Sequence, residues 1–195
     1  MSSASNHEIH VDNSLSGLIL KHTEVPVQKC YQCGKCSAGC PVVNEMDYPP
    51  SLLLRMLQTG TPEMEEKVLR SYSIWLCLSC EQCISRCPME IDIPKMMDYL
   101  RQVSYKKKMV NPKAKDIVRF HKAFLDSIKN TGRLYEIGLT LDFKLRSMNL
   151  MQDLTTAPSM IAKGKLGLFP EMIKGTKHMA KIFAKTTGLK SEDEK

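Results

Sequence analysis

The sequence predicts a mainly helical protein, and three observations support this. The spacer between its two cysteine motifs carries helix signals rather than strand signals: Ser51 precedes an apolar run that ends at Gly60, and Pro62 opens the next run. Similar signals follow the second motif, where Pro94 begins an amphipathic segment. The remainder of the chain consists of glycine-punctuated helical pieces. We therefore expect a mainly α fold.

The part of the chain that contains the cysteines divides into short elements. Residues 1–25 form a polar extension without a sustained hydrophobic period. Two short helices are expected between the motifs, and acidic residues in the first turn of the second one suit the helix dipole. A longer helix is expected after the second motif. The expected helices are residues 52–59 with Ser51 as the N-cap, residues 62–70 and residues 94–108.

The remaining part opens with Asn111-Pro112, a cap residue followed by proline, which predicts a helix that ends near Gly132. Further helical pieces are expected at residues 134–151, 159–163, 170–174 and 176–185. Their methionines suit either an irregular docking surface or an ordinary core, because the methionine side chain is flexible. We predict three regions: an N-terminal extension (1–25), a cysteine-containing domain (26–108) and a helical partner-docking region (109–195).

All eight cysteines lie in two copies of the pattern C-x2-C-x2-C-x3-C-P, at Cys30–Pro41 (CYQCGKCSAGCP) and Cys77–Pro88 (CLSCEQCISRCP). Three thiols within seven residues can each bind one corner of an iron-sulfur cube. The proline after the fourth cysteine moves that residue's backbone out of the helical region and so turns the cysteine away. The spacing therefore predicts two [4Fe-4S] clusters.

Three other interpretations of the cysteines fit the sequence less well. A disulfide framework suits secreted proteins, but residues 1–16 contain no basic segment followed by an apolar run, so no signal peptide is visible. Zinc sites use C-x2-C pairs and need neither the third cysteine nor the proline. A redox-active C-x-x-C motif occurs in a βαβ context, and we expect none around either copy.

Charge is divided unevenly along the chain. Residues 1–100 contain 8 Lys and Arg against 12 Asp and Glu, whereas residues 101–195 contain 20 against 9. A basic segment of this size can bind nucleic acid or an anionic membrane, but it can also offset the negative charge of thiolate-bound clusters. We favour the second account, because no nucleic-acid motif accompanies the lysines and aromatic residues make up only 6% of the chain.

Several other classes of function find no support in the sequence. No run approaches the ~18 consecutive apolar residues of a membrane helix, so we expect no membrane span and a cytoplasmic location. There is no G-x-G-x-x-G motif, no P-loop, and no Cys/His or Ser/His/Asp arrangement outside the cysteine motifs. We therefore expect no catalytic residue and no substrate site in this chain.

The cysteine motif resembles that of two-cluster ferredoxins, in which the fourth cysteine of each motif binds the other cluster. The resemblance implies two ligand sets: Cys30, Cys33, Cys36 and Cys87 for the first cluster, and Cys77, Cys80, Cys83 and Cys40 for the second. The spacer of 36 residues between Cys40 and Cys77 looks helical, unlike that of compact bacterial ferredoxins. The chain thus resembles the alpha-helical ferredoxin family, with a helical C-terminal extension.

Within that family the chain resembles the C subunit of heterodisulfide reductase from methanogenic archaea, on the two motifs, on the sequence MEID after Pro88 and on the overall size. The resemblance covers residues 26–108. It implies an electron-transfer protein that relays electrons from the A subunit, which contains flavin and iron-sulfur clusters, to the B subunit. The latter's CCG domains are thought to reduce the coenzyme M-coenzyme B heterodisulfide in methanogenesis. In a larger complex a hydrogenase would be a further partner.

Two alternative functions stay open at this point. Equivalent relay subunits serve other soluble oxidoreductases, in sulfur metabolism and in glycolate or glycerol-3-phosphate oxidation. This chain has no Cys-Cys pair, so a separate partner would have to supply the CCG segment. The second alternative is an iron-sulfur regulator that binds nucleic acid through its basic half. Two clusters with crossed ligands favour electron transfer over this alternative, because a sensor usually needs one labile cluster.

Overall fold

The computed structural model describes residues 14–148, 163, 173 and 175–187. Within these residues the secondary structure is helical and contains no strand, so the predicted mainly α class is confirmed. Residues 1–13 of the predicted extension lie outside the described residues. So do the predicted helical pieces 159–163 and 170–174, apart from residues 163 and 173. The chain divides into two compact units, with the division between Ala114 and Lys115.

The described part of the first unit is built from long helices around two short ones that carry cysteines. Helix α7 packs against α1, α4 and α5, helix α3 packs against α1, α2 and α4, and α2 packs against α6. The helices are α1 (Leu15–Thr23), α2 (Lys35–Ala38), α3 (Pro50–Thr59), α4 (Pro62–Leu69), α5 (Ser73–Leu76), α6 (Gln82–Arg86) and α7 (Ile93–Lys106). Their shared core is apolar and fully buried, with Ile19, Leu53, Leu57, Ile74, Met97 and Leu100 among its members.

Helix α3 begins earlier than predicted, and Ser51 is not its N-cap. Pro50 is its first residue, because the fixed φ of proline and its missing N–H suit the first turn of a helix. The Ser51 hydroxyl instead pairs with the Ser37 hydroxyl at 2.8 Å and so joins α3 to the first cysteine motif. The predicted end of this helix is confirmed, since Gly60 has a φ of 62°. The next helix, α4, begins at Pro62 as predicted.

Helix α1 lies in the segment that the sequence predicts as an extension. Leu15 and Ile19 are buried, and the Ser14 hydroxyl caps the helix by accepting a hydrogen bond from the Gly17 N–H at 3.2 Å. The backbone N–H of Leu15 also donates to the Glu65 carboxylate at 2.6 Å. A helix of nine residues is too short for a clear hydrophobic period. The sequence pattern therefore did not predict α1, which packs on α3 and α7.

The residues between α7 and the second unit belong structurally to the first unit. The Met109 N–H donates to the Ser104 carbonyl at 2.8 Å, the Asn111 side chain donates to the Arg70 carbonyl at 2.7 Å, and Ala114 is fully buried. The division at residue 114 therefore lies beyond the predicted region boundary at residue 108. Pro112 begins a 3-10 turn, Pro112–Ala114, and not the helix predicted there.

The second unit has three helices in its described part, α8 (Lys115–Thr131), α9 (Glu136–Ser147) and α10 (Thr176–Thr187). Helix α8 packs against both of the others, and it ends before Gly132, which has a φ of 80°, as predicted. Few of the described side chains of α8 and α9 are buried. Large apolar side chains are exposed instead, including Phe120, Leu125, Leu141, Leu145 and Met148. Across the described ranges, no helix is long and apolar enough to cross a membrane.

The carboxylate of Asp47 fixes the start of α5, immediately before the second cysteine motif. It accepts hydrogen bonds from the N–H groups of Tyr72 at 2.8 Å and Ser73 at 2.9 Å, and from the Ser73 hydroxyl. Although partial burial opposes ionisation, these hydrogen bonds lower the pKa of Asp47. Because the pKa falls on folding, the ionised carboxylate stabilises the fold above about pH 4, and the contribution is lost as the pH falls through the folded-state pKa.

We expect Asp47→Ala to lower the free energy of unfolding by about 1–2 kcal/mol at pH 7, because it leaves the first N–H groups of α5 without an acceptor. Asp47→Asn keeps one acceptor oxygen, so its free energy of unfolding should fall by less. Denaturation of the cluster-loaded protein under anaerobic conditions measures both. Asp116→Ala is the control, since Asp116 is exposed and contacts Arg119 on its own helix. An Asp47→Ala protein as stable as the control would contradict the cap assignment.

Candidate iron-sulfur site

The two cysteine motifs have the same backbone conformation. Two residues after the first cysteine, φ is 64° at Gln32 and 52° at Ser79; four residues after it, φ is 76° at Gly34 and 62° at Glu81. A short helix begins directly after the latter position, α2 in the first motif and α6 in the second. The sequence repeat is thus also a structural repeat. Neither loop is helical between its first cysteine and the start of that short helix.

Backbone N–H groups beside cysteine sulfurs favour negative charge on sulfur in both loops. The N–H of Ser37 acts in this way on Cys36, and that of Ile84 acts on Cys83, while the hydrogen bonds of these two groups run to the Gly34 and Glu81 carbonyls. In the second loop the N–H of Ser79 acts on Cys77. Polar groups of this kind are among the factors that set the reduction potential of a bound cluster.

Cys40, which follows α2, lies beside the cysteines of the other motif. It lines one cavity together with Cys77, Cys80 and Cys83, and its charge acts on the Cys77 thiol. Apolar side chains form much of the remaining wall: Pro41, Val42, Met46, Pro50, Ile93 and Met97. The structure thus brings the fourth cysteine of the first motif to the first three of the second. We call Cys40, Cys77, Cys80 and Cys83 the second group.

Cys87 has the reciprocal position beside the first motif. The Tyr31 side chain interacts electrostatically with Cys30, Cys33 and Cys87, and the Cys30 charge acts on Cys36. We call Cys30, Cys33, Cys36 and Cys87 the first group. The two groups are neighbours, because the charge of Cys36 in the first acts on Cys83 in the second.

One cysteine in each motif is exposed, and it is the second one in both cases, Cys33 and Cys80. A large exposed apolar side chain stands two residues before each, Tyr31 at 57% exposure and Leu78 at 63%. Cys36 is buried, and the other cysteines are half-buried. Each group therefore has one edge that faces solvent.

Three thiols, those of Cys36, Cys77 and Cys83, have raised pKa values. Burial raises the pKa of Cys36, against the opposing hydrogen bonds from Ser37. Burial also raises the pKa of Cys77, while the Ser79 N–H and the Arg101 guanidinium oppose the rise. Burial and the neighbouring Cys77 thiolate raise the pKa of Cys83 to about 11. Without a bound cluster these sulfurs are protonated at neutral pH, so iron binding must release their protons.

Two side chains outside the motifs hold the loops, and sequence reasoning missed both. The Gln58 amide donates to the Cys30 carbonyl at 2.6 Å and accepts from the Gln32 amide at 3.1 Å. Arg101 donates to the Cys77 carbonyl and to the Ile74 carbonyl, each at 2.5 Å. Both come from helices more than 20 residues from the loop they hold. No local pattern marks them.

The residues present fit iron-sulfur clusters. Each group supplies four thiols, the number of ligands a [4Fe-4S] cluster takes, together with N–H groups beside the sulfurs and, in the second group, apolar walls. In the part of the chain that the structure describes, no three His, Cys, Asp or Glu side chains are placed to hold a single metal ion. The fit therefore rests on the chemistry of the donor set and on the grouping of the cysteines.

The fold and the site define a helical iron-sulfur protein with two clusters. Residues 26–91 match the family model of the 4Fe-4S dicluster domain. This match confirms the predicted cofactors, two [4Fe-4S] clusters. Because such clusters exchange single electrons, the domain has an electron-transfer role.

The chain is similar to the iron-sulfur C subunit of CoB-CoM heterodisulfide reductase from Methanopyrus kandleri, with 36% identity over 81 residues, or 42% of this chain and 41% of the relative. The iron-sulfur C 2 subunit of the same reductase from Methanocaldococcus jannaschii is 33% identical with the same coverage. The chain therefore spans about two fifths of the length of these relatives.

A longer alignment reaches into the second unit. It joins 163 residues at 23% identity to the C subunit of the ferredoxin/F(420)H(2)-dependent CoB-CoM heterodisulfide reductase of Methanosarcina acetivorans, and covers 84% of this chain and 89% of the relative. These similarities confirm the predicted resemblance to the C subunit of heterodisulfide reductases.

The structural repeat predicts opposite effects for two matched substitutions. Glu81 holds a left-handed φ that costs a non-glycine residue roughly 1–2 kcal/mol, whereas the unfolded-chain entropy that glycine adds costs about 0.4–1 kcal/mol. Glu81→Gly should therefore stabilise the protein by up to about 1 kcal/mol. Gly34→Ala should destabilise it by a similar amount, through backbone conformation alone, because nothing lies within 4 Å of the added Cβ.

The measurement is thermal unfolding of both variants and the parent at equal iron content under anaerobic conditions. A shift of the same sign in the two variants would show that the loops are not conformationally equivalent.

Proposed function

We propose that this chain is the electron-relay subunit of an oxidoreductase complex of the heterodisulfide reductase type. It would pass electrons from an A subunit that carries flavin and iron-sulfur clusters to a B subunit whose CCG domains reduce the coenzyme M-coenzyme B heterodisulfide. The observation that carries the proposal is that the two groups of cysteines are neighbours with outward edges at Cys33 and Cys80. The similarity to the C subunit of heterodisulfide reductases supports the choice of complex.

The proposal includes the crossed ligand sets. Cys30, Cys33, Cys36 and Cys87 would hold one cluster, and Cys40, Cys77, Cys80 and Cys83 the other. The shared cavity of the second group and the interaction of Tyr31 with Cys87 support this assignment. When bound, the clusters supply one-electron donors and acceptors.

The protein's own residues have three tasks in this function. The cysteines would bind the two clusters. The side chains of Gln58 and Arg101 orient the first cysteine of each motif. The apolar wall around the second group would reduce its contact with water. The exposed side chains of Tyr31 and Leu78 offer contact surface next to the two outward edges, where a partner's redox centre can approach.

Crossed ligation predicts which cluster each fourth cysteine affects. Cys40→Ser should perturb the cluster held mainly by the second motif, and Cys87→Ser the cluster held mainly by the first, because each serine replaces a thiolate at the far site. Electron paramagnetic resonance (EPR) of the reduced variants measures the effect, with Cys80→Ser and Cys33→Ser as markers for the second and first cluster. If each variant disturbed only the cluster of its own motif, the crossed assignment would be wrong.

We further propose that the second unit is the partner-docking part of the protein. Leu141 and Leu145 lie one turn apart on α9, and both are about 60% exposed. A partner that covers such exposed apolar side chains would gain binding free energy, since burial of a leucine contributes roughly 1.5–3 kcal/mol. The expected partner is therefore a protein surface with apolar character, and the A and B subunits are the candidates.

The test of function uses the full-length chain with both clusters. Alone, it should accept electrons from dithionite but should not reduce the heterodisulfide; with the A and B subunits it should support turnover. Leu141→Asp should keep the cluster content and weaken complex formation about tenfold or more, because an aspartate at a buried contact loses the leucine contribution and adds a desolvation cost.

Thr140→Asp is the matched control, since it introduces the same charge at an adjacent exposed position of α9. Heterodisulfide reduction by the chain alone would refute the relay role. Equal binding by the two variants would refute docking through this face. If the partners that co-purify anaerobically belonged to another oxidoreductase, of sulfur, glycolate or glycerol-3-phosphate metabolism, the relay would stand and the heterodisulfide assignment would fall.

A further inference from the structure

The two halves of the repeat differ in the charge of the side chain that holds each loop. Gln58 and Arg101 donate to the carbonyls of Cys30 and Cys77, which are equivalent positions of the repeat. A neutral amide therefore serves the first group, and a positive guanidinium serves the second. Because the backbone conformations of the loops match, this difference in charge stands out against an otherwise similar framework.

Water and the nearby Asp98 carboxylate screen the charge of the Arg101 guanidinium only in part. The Arg101 side chain is 18% exposed, and its acidic partner Asp98, 2.9 Å away, is 57% exposed. Water therefore weakens the field of the carboxylate more than that of the guanidinium. The charge of Arg101 acts on Cys77 in the direction that stabilises negative sulfur, and that of Asp98 acts in the opposite direction.

Other cations near the loops are more open to solvent. Lys35 begins α2 in the first motif, and Arg86 ends α6 with its side chain against Gly39. Both are exposed, so their effect on either group is strongly screened. Among the described cations, Arg101 thus combines low exposure with direct contact to a loop.

We propose that Arg101 raises the reduction potential of the cluster at the second group above that of the cluster at the first. A positive charge stabilises an added electron, and local charge and hydrogen bonding are the levers by which a protein sets cluster potentials. The inference rests on the proposed ligand sets and deepens the proposed relay by giving it a direction.

The direction follows from the order of potentials. One electron moves from the first group to the second, which oxidises the first cluster and reduces the second by one electron, without proton transfer or bond formation. Electrons then enter at the Cys33 edge beside Tyr31 and leave at the Cys80 edge beside Leu78. The reductant would be the flavin- and iron-sulfur-containing partner, and dithionite replaces it in the test.

The experiment is an EPR-monitored redox titration of the full-length, cluster-loaded protein with dithionite and mediators. Arg101→Gln copies the neutral group of Gln58, and Arg101→Lys keeps the charge. In Arg101→Gln we expect the ratio of reduced to oxidised second cluster at a fixed potential to fall at least tenfold. This fall equals a decrease of about 59 mV in the reduction potential of that cluster for one electron. The first cluster should not shift, and Arg101→Lys should stay within about threefold of the parent ratio.

Two further variants complete the design. Arg70→Gln is the matched control, because Arg70 also pairs with one nearby acidic residue in the sequence, Glu66 at 2.7 Å, and is 57% exposed. This variant should shift neither cluster. Asp98→Asn removes the opposing charge while Arg101 remains, so it should raise the potential of the second cluster. Cys33→Ser and Cys80→Ser identify which signal belongs to which cluster.

The proposal is overturned if Arg101→Gln leaves the reduction potential of the second cluster unchanged, or if it shifts the potentials of both clusters equally. It is also overturned if Arg101→Lys lowers the potential of the second cluster as much as Arg101→Gln does. If Arg101→Gln does not assemble its clusters, Asp98→Asn decides the matter, and the absence of a rise would overturn the proposal. No partner takes part in the titration. A negative result therefore leaves the relay role standing, whereas failure of the relay would appear as absent turnover with the partner subunits.

Discussion

The packing of α2 against α6 is the contact on which the site depends, because it places the two cysteine loops side by side. These helices have four and five residues, far too few to be stable alone, and each follows a residue with a left-handed backbone. Their positions must therefore be imposed by the surrounding helices. Helix α3 does so through Gln58 and through the Ser37–Ser51 hydrogen bond, and helix α7 does so through Arg101. The long helices thus form a frame whose purpose is to keep two loops side by side.

This frame also explains how the charge problem of the site is eased. Eight thiolates with their iron would concentrate negative charge in a half of the chain that already has more acidic than basic residues. Backbone N–H groups at Ser37, Ser79 and Ile84 counter that charge at the sulfurs. Fixed dipoles of this kind need no counter-ion from solvent, and they do not depend on salt as exposed lysines would.

Local and distant information contributed differently to what the sequence could predict. The cysteine spacing specified the cofactor, and Gly60, Pro62 and Gly132 marked helix ends correctly, because these signals act within a few residues. The prediction of Ser51 as the N-cap was wrong, because the helix begins one residue earlier, at Pro50. Asp47, Gln58 and Arg101 could not be predicted, because each acts on a loop more than 20 residues away and looks like an ordinary surface residue in the sequence. Helix α1 was not predicted for a similar reason, since its packing on α3 and α7 and the bond to Glu65 involve residues distant in sequence.

A duplicated motif need not give two equivalent sites, and the differences between the copies are what make a relay useful. If both loops had the same surroundings, an electron would be shared evenly between the clusters, and no direction would follow from the chain itself. The repeat keeps the features that bind clusters, namely cysteine spacing, backbone conformation and N–H groups beside the sulfurs. The difference in charge is found outside it, in the side chains of Gln58 and Arg101 that distant helices supply. The inner cysteines Cys36 and Cys83 lie where the two groups meet, while Cys33 and Cys80 face outward. In the proposed relay, these two outward positions would be separate ends for two different partners.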